Sequence, residues 1–183
     1  MGVKIIEGSV PLTFGCTDHL SNAAIVRAPL IVSIEAGNLF VDEVAIGSKC
    51  LEPVEIISKW IKASDKVLLA FDAPLGWPDA MGNSLVIHQA GQEISSPANK
   101  LFRRCTDDEI YNRFRIRPLE VGANLSARTA GAALRLLGEL RNRTGCEIPL
   151  AWDASPQNGI SVIEVYPAAT LLARGNTNSK VIP

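Results

Sequence analysis

Histidine, cysteine and aromatic residues are all scarce in this chain, and each scarcity closes off a class of protein. Only His19 and His88 are present, and the four cysteines (Cys16, Cys50, Cys105 and Cys146) are scattered with no Cys-x-x-Cys pair. A zinc site of the usual ligand spacing is therefore not expected. Isolated thiols of this kind read as free cysteines in a reducing compartment, which points to the cytoplasm. Aromatic residues make up 5% of the 183 residues and hydrophobic ones 47%, so the core is expected to be mainly aliphatic and large enough for one domain over residues 1–183. No apolar run approaches the roughly 20 residues that span a bilayer. The segment "MGVKIIEGSVPLTF" has one lysine and no apolar stretch of signal-peptide length, and its Met-Gly start is too common to mark myristoylation. No membrane contact is expected. The formal net charge of -1 gives no global attraction to nucleic acid, so such a partner needs a local basic patch. Walker A, Gly-x-Gly-x-x-Gly and Ser-His-Asp patterns are absent. Composition leaves the oligomeric state open, a homodimer included.

What is present begins with strands. "PLTFGCTD", "NAAIVRA" and "NLFVDEVAIG" are short apolar runs between polar or Gly-containing turns, as in a meander of hairpins. "PLIVSIEAG" extends the second of them, and "MGVKIIEGSV" is either a further strand or an ordered arm. In "LEPVEIISKWIKASD" the period changes. Leu51, Val54, Ile57, Trp60 and Ile61 recur at helical spacing, with Pro53 in the first turn where it is tolerated. "KVLLAFD" follows as a central strand apolar on both faces. Residues 83–116 suggest loops and short helices, "LEVGANLSARTAGAALRLLGELRNRTG" a long helix stopped at Gly145, "GISVIEVYP" a strand ended by Pro167, and "AATLLARG" a short helix. This order predicts an α/β protein, a mixed sheet with helices on its faces.

Three of these strands end on an acid in apolar surroundings: Asp18 after "PLTFGCT", Asp72 after "KVLLAF" and Glu164 in "ISVIEVYP". A lone carboxylate there is costly to bury unless it is paired or binds a cation. Ligands of open α/β sheets collect at the carboxyl ends of strands. Three carboxylates converging at such an edge would make an all-oxygen site for Mg²⁺ or Mn²⁺, able to support phosphodiester hydrolysis. Taken singly, each acid is equally well a cap or turn-former.

"FDAPLGWP", "FRRCTDDEIYNR" and "VIEVYPAATL" resemble signature blocks of the DUF429 family, whose members are expected to be nucleases with an RNase H-like fold. The resemblance runs from about Lys66 to Leu172. It implies an RNase H-like sheet, with an antiparallel meander in the first three strands and later strands parallel to the first. It also implies acids on the first strand, on the strand after the first helix and on a later strand. Asp72 and Glu164 match the family blocks directly. Asp18, in the divergent "FGCTDHLSNAAIV", is the best match for the first-strand acid, and Glu7 in "KIIEGS" competes with it if the N-terminal segment is the first strand. The family pattern further implies a last helix with another Asp. "ARGNTNSKVIP" holds no acid, so that carboxylate is absent, replaced by Asp107 or Asp108, or lost with a truncated terminus.

"RRCTDDE" carries Arg104-x-x-Asp107. The resemblance implies a place at the active-site rim, with Arg104 meeting a phosphate and Asp107 orienting it or completing the metal shell; Arg103 beside them is a further candidate phosphate contact. The same residues also read as a helix start, with Thr106 or Asp107 as N-cap and Asp108 and Glu109 facing the positive end. Arg103, Arg104, Arg113, Arg115 and Arg117 form a patch suited to tracking phosphates. Arg128, Arg135, Arg141 and Arg143 fit a solvated helical face balanced by Glu120 and Glu139. His19 beside Asp18 could donate to a leaving oxygen, but a turn histidine suits the sequence better. His88 fits helix packing, Trp77 a loop anchor, and Cys105 has no base nearby in sequence. The expectation is a divalent-metal-dependent nuclease with Asp18, Asp72 and Glu164 as catalytic metal ligands. Two alternatives stand beside it: a nucleic-acid or small-ligand binding protein with a degenerate site, and a nucleotide-phosphate-binding enzyme of the same fold.

Overall fold

The N-terminal segment that its sequence leaves undecided is a strand. The computed structural model describes residues 4–9, 28–35, 38–44, 52–123, 125–153 and 159–175, with side chains at 40–43 and from residue 52 onward within those ranges. The strands are β1 (Lys4–Ser9), β2 (Ala28–Glu35), β3 (Asn38–Val44), β4 (Lys66–Phe71) and β5 (Gly159–Glu164). The helices are α1 (Pro53–Lys62), α2 (Asp79–Leu85), α3 (Ala98–Phe102), α4 (Cys105–Phe114), α5 (Ser126–Thr144) and α6 (Pro167–Ala173). The chain is thus a mixed α/β protein. "PLTFGCTD" and all but the last residue of "NAAIVRA" lie outside the described residues. The string expected only to extend the second strand, "PLIVSIE", supplies nearly all of β2.

Two compact units divide the chain. One holds Met1–Asp72 with Gly131–Val165, and the other holds Ala73–Ala130 with Tyr166–Pro183. In the first unit the described strands lie in the order β3-β2-β1-β4-β5. β1 pairs antiparallel with β2, and β2 antiparallel with β3 across an irregularity at Ile31/Val32. β4 runs parallel to β1 on one side and to β5 on the other. A strand with neighbours on both edges, covered on both faces, must be apolar throughout. "KVLLAF" meets that demand, with Val67, Leu69, Ala70 and Phe71 all buried.

α1 forms where Pro53 fixes the first turn and Val54, Ile57, Trp60 and Ile61 make one apolar face, all four buried. Glu55 near its start and Lys59 and Lys62 near its end match the helix dipole. Trp60 Nε1 donates to Glu43 Oε2 at 2.9 Å, tying α1 to β3. Within this unit α5 buries Ala133, Leu137 and Leu140, the i, i+4, i+7 stripe of an amphipathic helix. It stops at Gly145, whose φ of +68° a side chain would disfavour.

In the second unit α2 packs against α3, and α4 against α6. Leu101, Val121 and Ala169 are buried, and Val121 N–H donates to the Phe102 carbonyl at 3.1 Å. Gly122 is small for a reason, since a Cβ there would lie 3.1 Å from the Phe102 ring. Contrary to the expectation, Pro167 does not end β5. That strand stops at Glu164, and Pro167 occupies the first turn of α6, where its missing N–H costs nothing.

Candidate functional site

Three strands of the first unit run the same way, so their carboxyl ends emerge at one edge of the sheet: β1, β4 and β5. The register fixes what meets there. Phe71 is the partner of Glu164, and Val165 N–H donates to the Phe71 carbonyl at 2.8 Å, carrying the pairing one residue past the strand. Asp72 leaves this ladder in a bend and is half-buried, as is Glu164. Adjacent strands stand about 4.8 Å apart and one residue advances about 3.3 Å. The Asp72 and Glu164 backbones are therefore near neighbours, and both side chains carry interactions of their own. On the other side of β4, Glu7 is the register partner of Ala70 and Gly8 that of Phe71.

Of the three acids expected at strand ends, the structure brings Asp72 and Glu164 to one edge. Asp18 lies outside the described residues. Because "KIIEGS" is the strand next to β4, the first strand beside Asp72 carries Glu7. That outcome rests on pairing rather than local pattern, since an isolated six-residue apolar run does not reveal its partner. Carboxylates suit a hard divalent cation. Among the described residues, no group of three or more His, Cys, Asp or Glu side chains is arranged to hold a metal.

The Arg104-x-x-Asp107 block belongs to the second unit and is built as a helix start. Arg104 is the N-cap and Asp107 the N3 residue, correcting the expected cap at Thr106 or Asp107. Asp107 Oδ2 accepts from the Arg104 backbone N–H at 2.9 Å and from Arg104 Nε at 3.1 Å, and Oδ1 accepts from a terminal guanidinium nitrogen at 2.6 Å. The carboxylate is 4% exposed. A charge so buried persists because the guanidinium fork and an orphan helix N–H satisfy it together.

The arginine patch is mostly engaged. Arg103 pairs with Glu120 at 2.9 Å, so Glu120 serves this loop and not the long helix. Arg113 pairs with Glu109 one helical turn back. Arg115 and Arg117 instead gather around one ring, their guanidinium carbons 5.6 Å and 4.2 Å from the Tyr111 centroid. Sequence reasoning passed over Tyr111, though its spacing of four and six residues from two arginines was there to be read. On α5, Arg141 donates to the Ile148 carbonyl at 2.9 Å and Arg143 lies 3.5 Å from Glu55. His88 closes a local turn through Gln92, Cys105 and Cys146 are free and exposed, and Trp77 is 41% exposed. His19 lies outside the described residues, and no described helix is long and apolar enough to cross a membrane.

No curated protein and no solved structure matches this chain. A family model described as "Protein of unknown function (DUF429)" matches residues 27–180, a span that includes Asp72, Arg104, Asp107 and Glu164 but neither Asp18 nor Glu7. The chain belongs to the DUF429 family.

Proposed function

We propose that this protein is a divalent-metal-dependent nuclease with an RNase H-like sheet, and that Asp72, Glu164 and Glu7 are its metal ligands. One observation carries the proposal. The carboxyl ends of three mutually parallel strands meet at one sheet edge, and each brings an acid within two residues of the Phe71 register row. The antiparallel β1-β2-β3 meander followed by parallel β4 and β5 supports the fold reading. The donors fit Mg²⁺ or Mn²⁺, since all are hard oxygen atoms.

When bound, such a cation supplies a water of lowered pKa and stabilises charge on a phosphodiester. The protein's own part is positional. Asp72 is held at the end of a strand with buried residues before and after it, Phe71 and Ala73, so its backbone has little freedom. Glu164 is fixed by the ladder through Val165 N–H. Glu7 takes the place of Asp18 as first-strand acid because β1 adjoins β4.

The test is a nuclease assay on single-stranded, duplex and hybrid substrates with Mn²⁺, alongside a thermal shift. Cleavage by the wild-type chain, lost in Asp72→Asn, Glu164→Gln and Glu7→Gln but kept in Asp18→Asn, is the expected outcome. No cleavage and no Mn²⁺-dependent rise in melting temperature would overturn it. One observation suits a second reading, a nucleic-acid binder with a degenerate site: two guanidiniums gather at the Tyr111 ring. Binding without cleavage would select it.

A further inference from the structure

The end of α4 carries two features of note. Arg115 adopts φ +58°, and it is the one described residue other than glycine with a positive φ. A Cβ in the left-handed region is strained, and helices usually place glycine there. Such an outlier, once observed, is a reason to look for a function. The second feature is the pair of cations on Tyr111. Arg115 and Arg117 are both exposed, and both lie within cation–π range of the one half-buried ring.

Neither guanidinium has a carboxylate partner among the described residues. The acids nearest in sequence are already taken, Glu120 by Arg103 and Glu109 by Arg113. A cation–π contact occupies no acceptor oxygen, so the N–H donors of both guanidiniums remain available to an anion. Two such cations around one ring concentrate positive charge on a chain whose net charge is -1. An anion with several acceptor oxygens would satisfy both forks.

From this geometry we infer that Tyr111, Arg115 and Arg117 form a contact site for the phosphate backbone of nucleic acid. The ring holds the two guanidiniums, so bases do not stack on it and the contact does not depend on sequence. This site extends the proposed function by naming where the polyanion is held. It rests on the nucleic-acid part of that reading and not on the metal.

The experiment measures binding of fluorescent single-stranded and duplex oligonucleotides to the full chain by anisotropy, in EDTA and over a range of salt. Arg115→Gly is the informative variant, because glycine relieves the backbone strain while removing the cation. Its melting temperature is expected to equal or exceed that of wild type. Its affinity should fall several-fold, and that of Arg115→Gly/Arg117→Ala about tenfold or more, with the slope of log K against log salt reduced by about 1 per arginine. Base composition should matter little. Wild-type and double-variant chains with equal affinity and equal salt slope would overturn the inference, as would no binding by wild type. Displacement by inorganic phosphate at low millimolar levels would also overturn it, marking an isolated phosphate site. Arginine-dependent binding by wild type in EDTA, with no cleavage in Mn²⁺, marks the failure of the cleavage proposal alone, so the two failures are distinguishable.

Discussion

Asp72 and Asp107 are both acids next to arginine-rich or apolar sequence, yet the chain handles them in opposite ways. Asp107 is neutralised by a residue three positions away, through its backbone N–H and its guanidinium together, and is 4% exposed. Both of these donors belong to Arg104. Asp72 ends a buried strand, and the acid beside it, Glu164, arrives from more than ninety residues later by parallel pairing. The first arrangement stabilises a helix start. The second brings two acids to one sheet edge through strand pairing.

That contrast can be broken by substitution. Asp72→Asn should cost at least about a hundredfold in the proposed metal-dependent cleavage, given the several kcal/mol a cation contributes to such a transition state. Asp107→Ala should act on stability instead. It removes the hydrogen bonds that Asp107 makes with Arg104, whose side chain is 11% exposed, and should lower unfolding free energy in urea by about 2 kcal/mol. A folded Asp107→Ala protein should keep its Mn²⁺ response. If it loses that response with unchanged stability, the division of roles between the two acids is wrong. Leu69→Ala, at a side chain 1% exposed in the central strand, should cost about 2–5 kcal/mol and tests whether β4 anchors the first unit. The smallest effect is expected at Arg103→Ala. Its pair with Glu120 is 27% and 41% exposed, and solvent screening leaves it worth about 0.5 kcal/mol in the same urea titration. A loss several times larger would place Arg103 with Arg104 as a structural residue.

Much of the fold was legible because short-range patterns carried it. The helical spacing of Val54, Ile57, Trp60 and Ile61 announced α1, and the uninterrupted "KVLLAF" announced a central strand. Gly145 marked the end of α5, and each appears where its pattern placed it. Errors arose where a partner was needed. "KIIEGS" has no feature that distinguishes an arm from a strand, and only pairing with β2 and β4 makes it β1. Pro167 signals a strand end and a helix start equally well, and the choice depended on where pairing with β4 stopped. The arginine patch was visible as composition. Which arginines were already committed was not, because Glu120 reaches Arg103 across seventeen residues.

The sequence by itself determined the class of the fold, the apolar strand that ends on Asp72, the three blocks that resemble the family, the place of α1 and the end of α5, whose start lies at Ser126 rather than at Leu119. These follow from side-chain spacing and local backbone preference, which act over a few residues. Only the tertiary structure decided which strand lies beside β4, and so which acid stands as neighbour to Asp72 and Glu164. It also decided that Arg104 caps a helix while Arg115 and Arg117 share a ring. Those outcomes depend on hydrogen bonds and ion pairs between residues distant in the chain or turned toward each other by a helix end, and no local pattern encodes them.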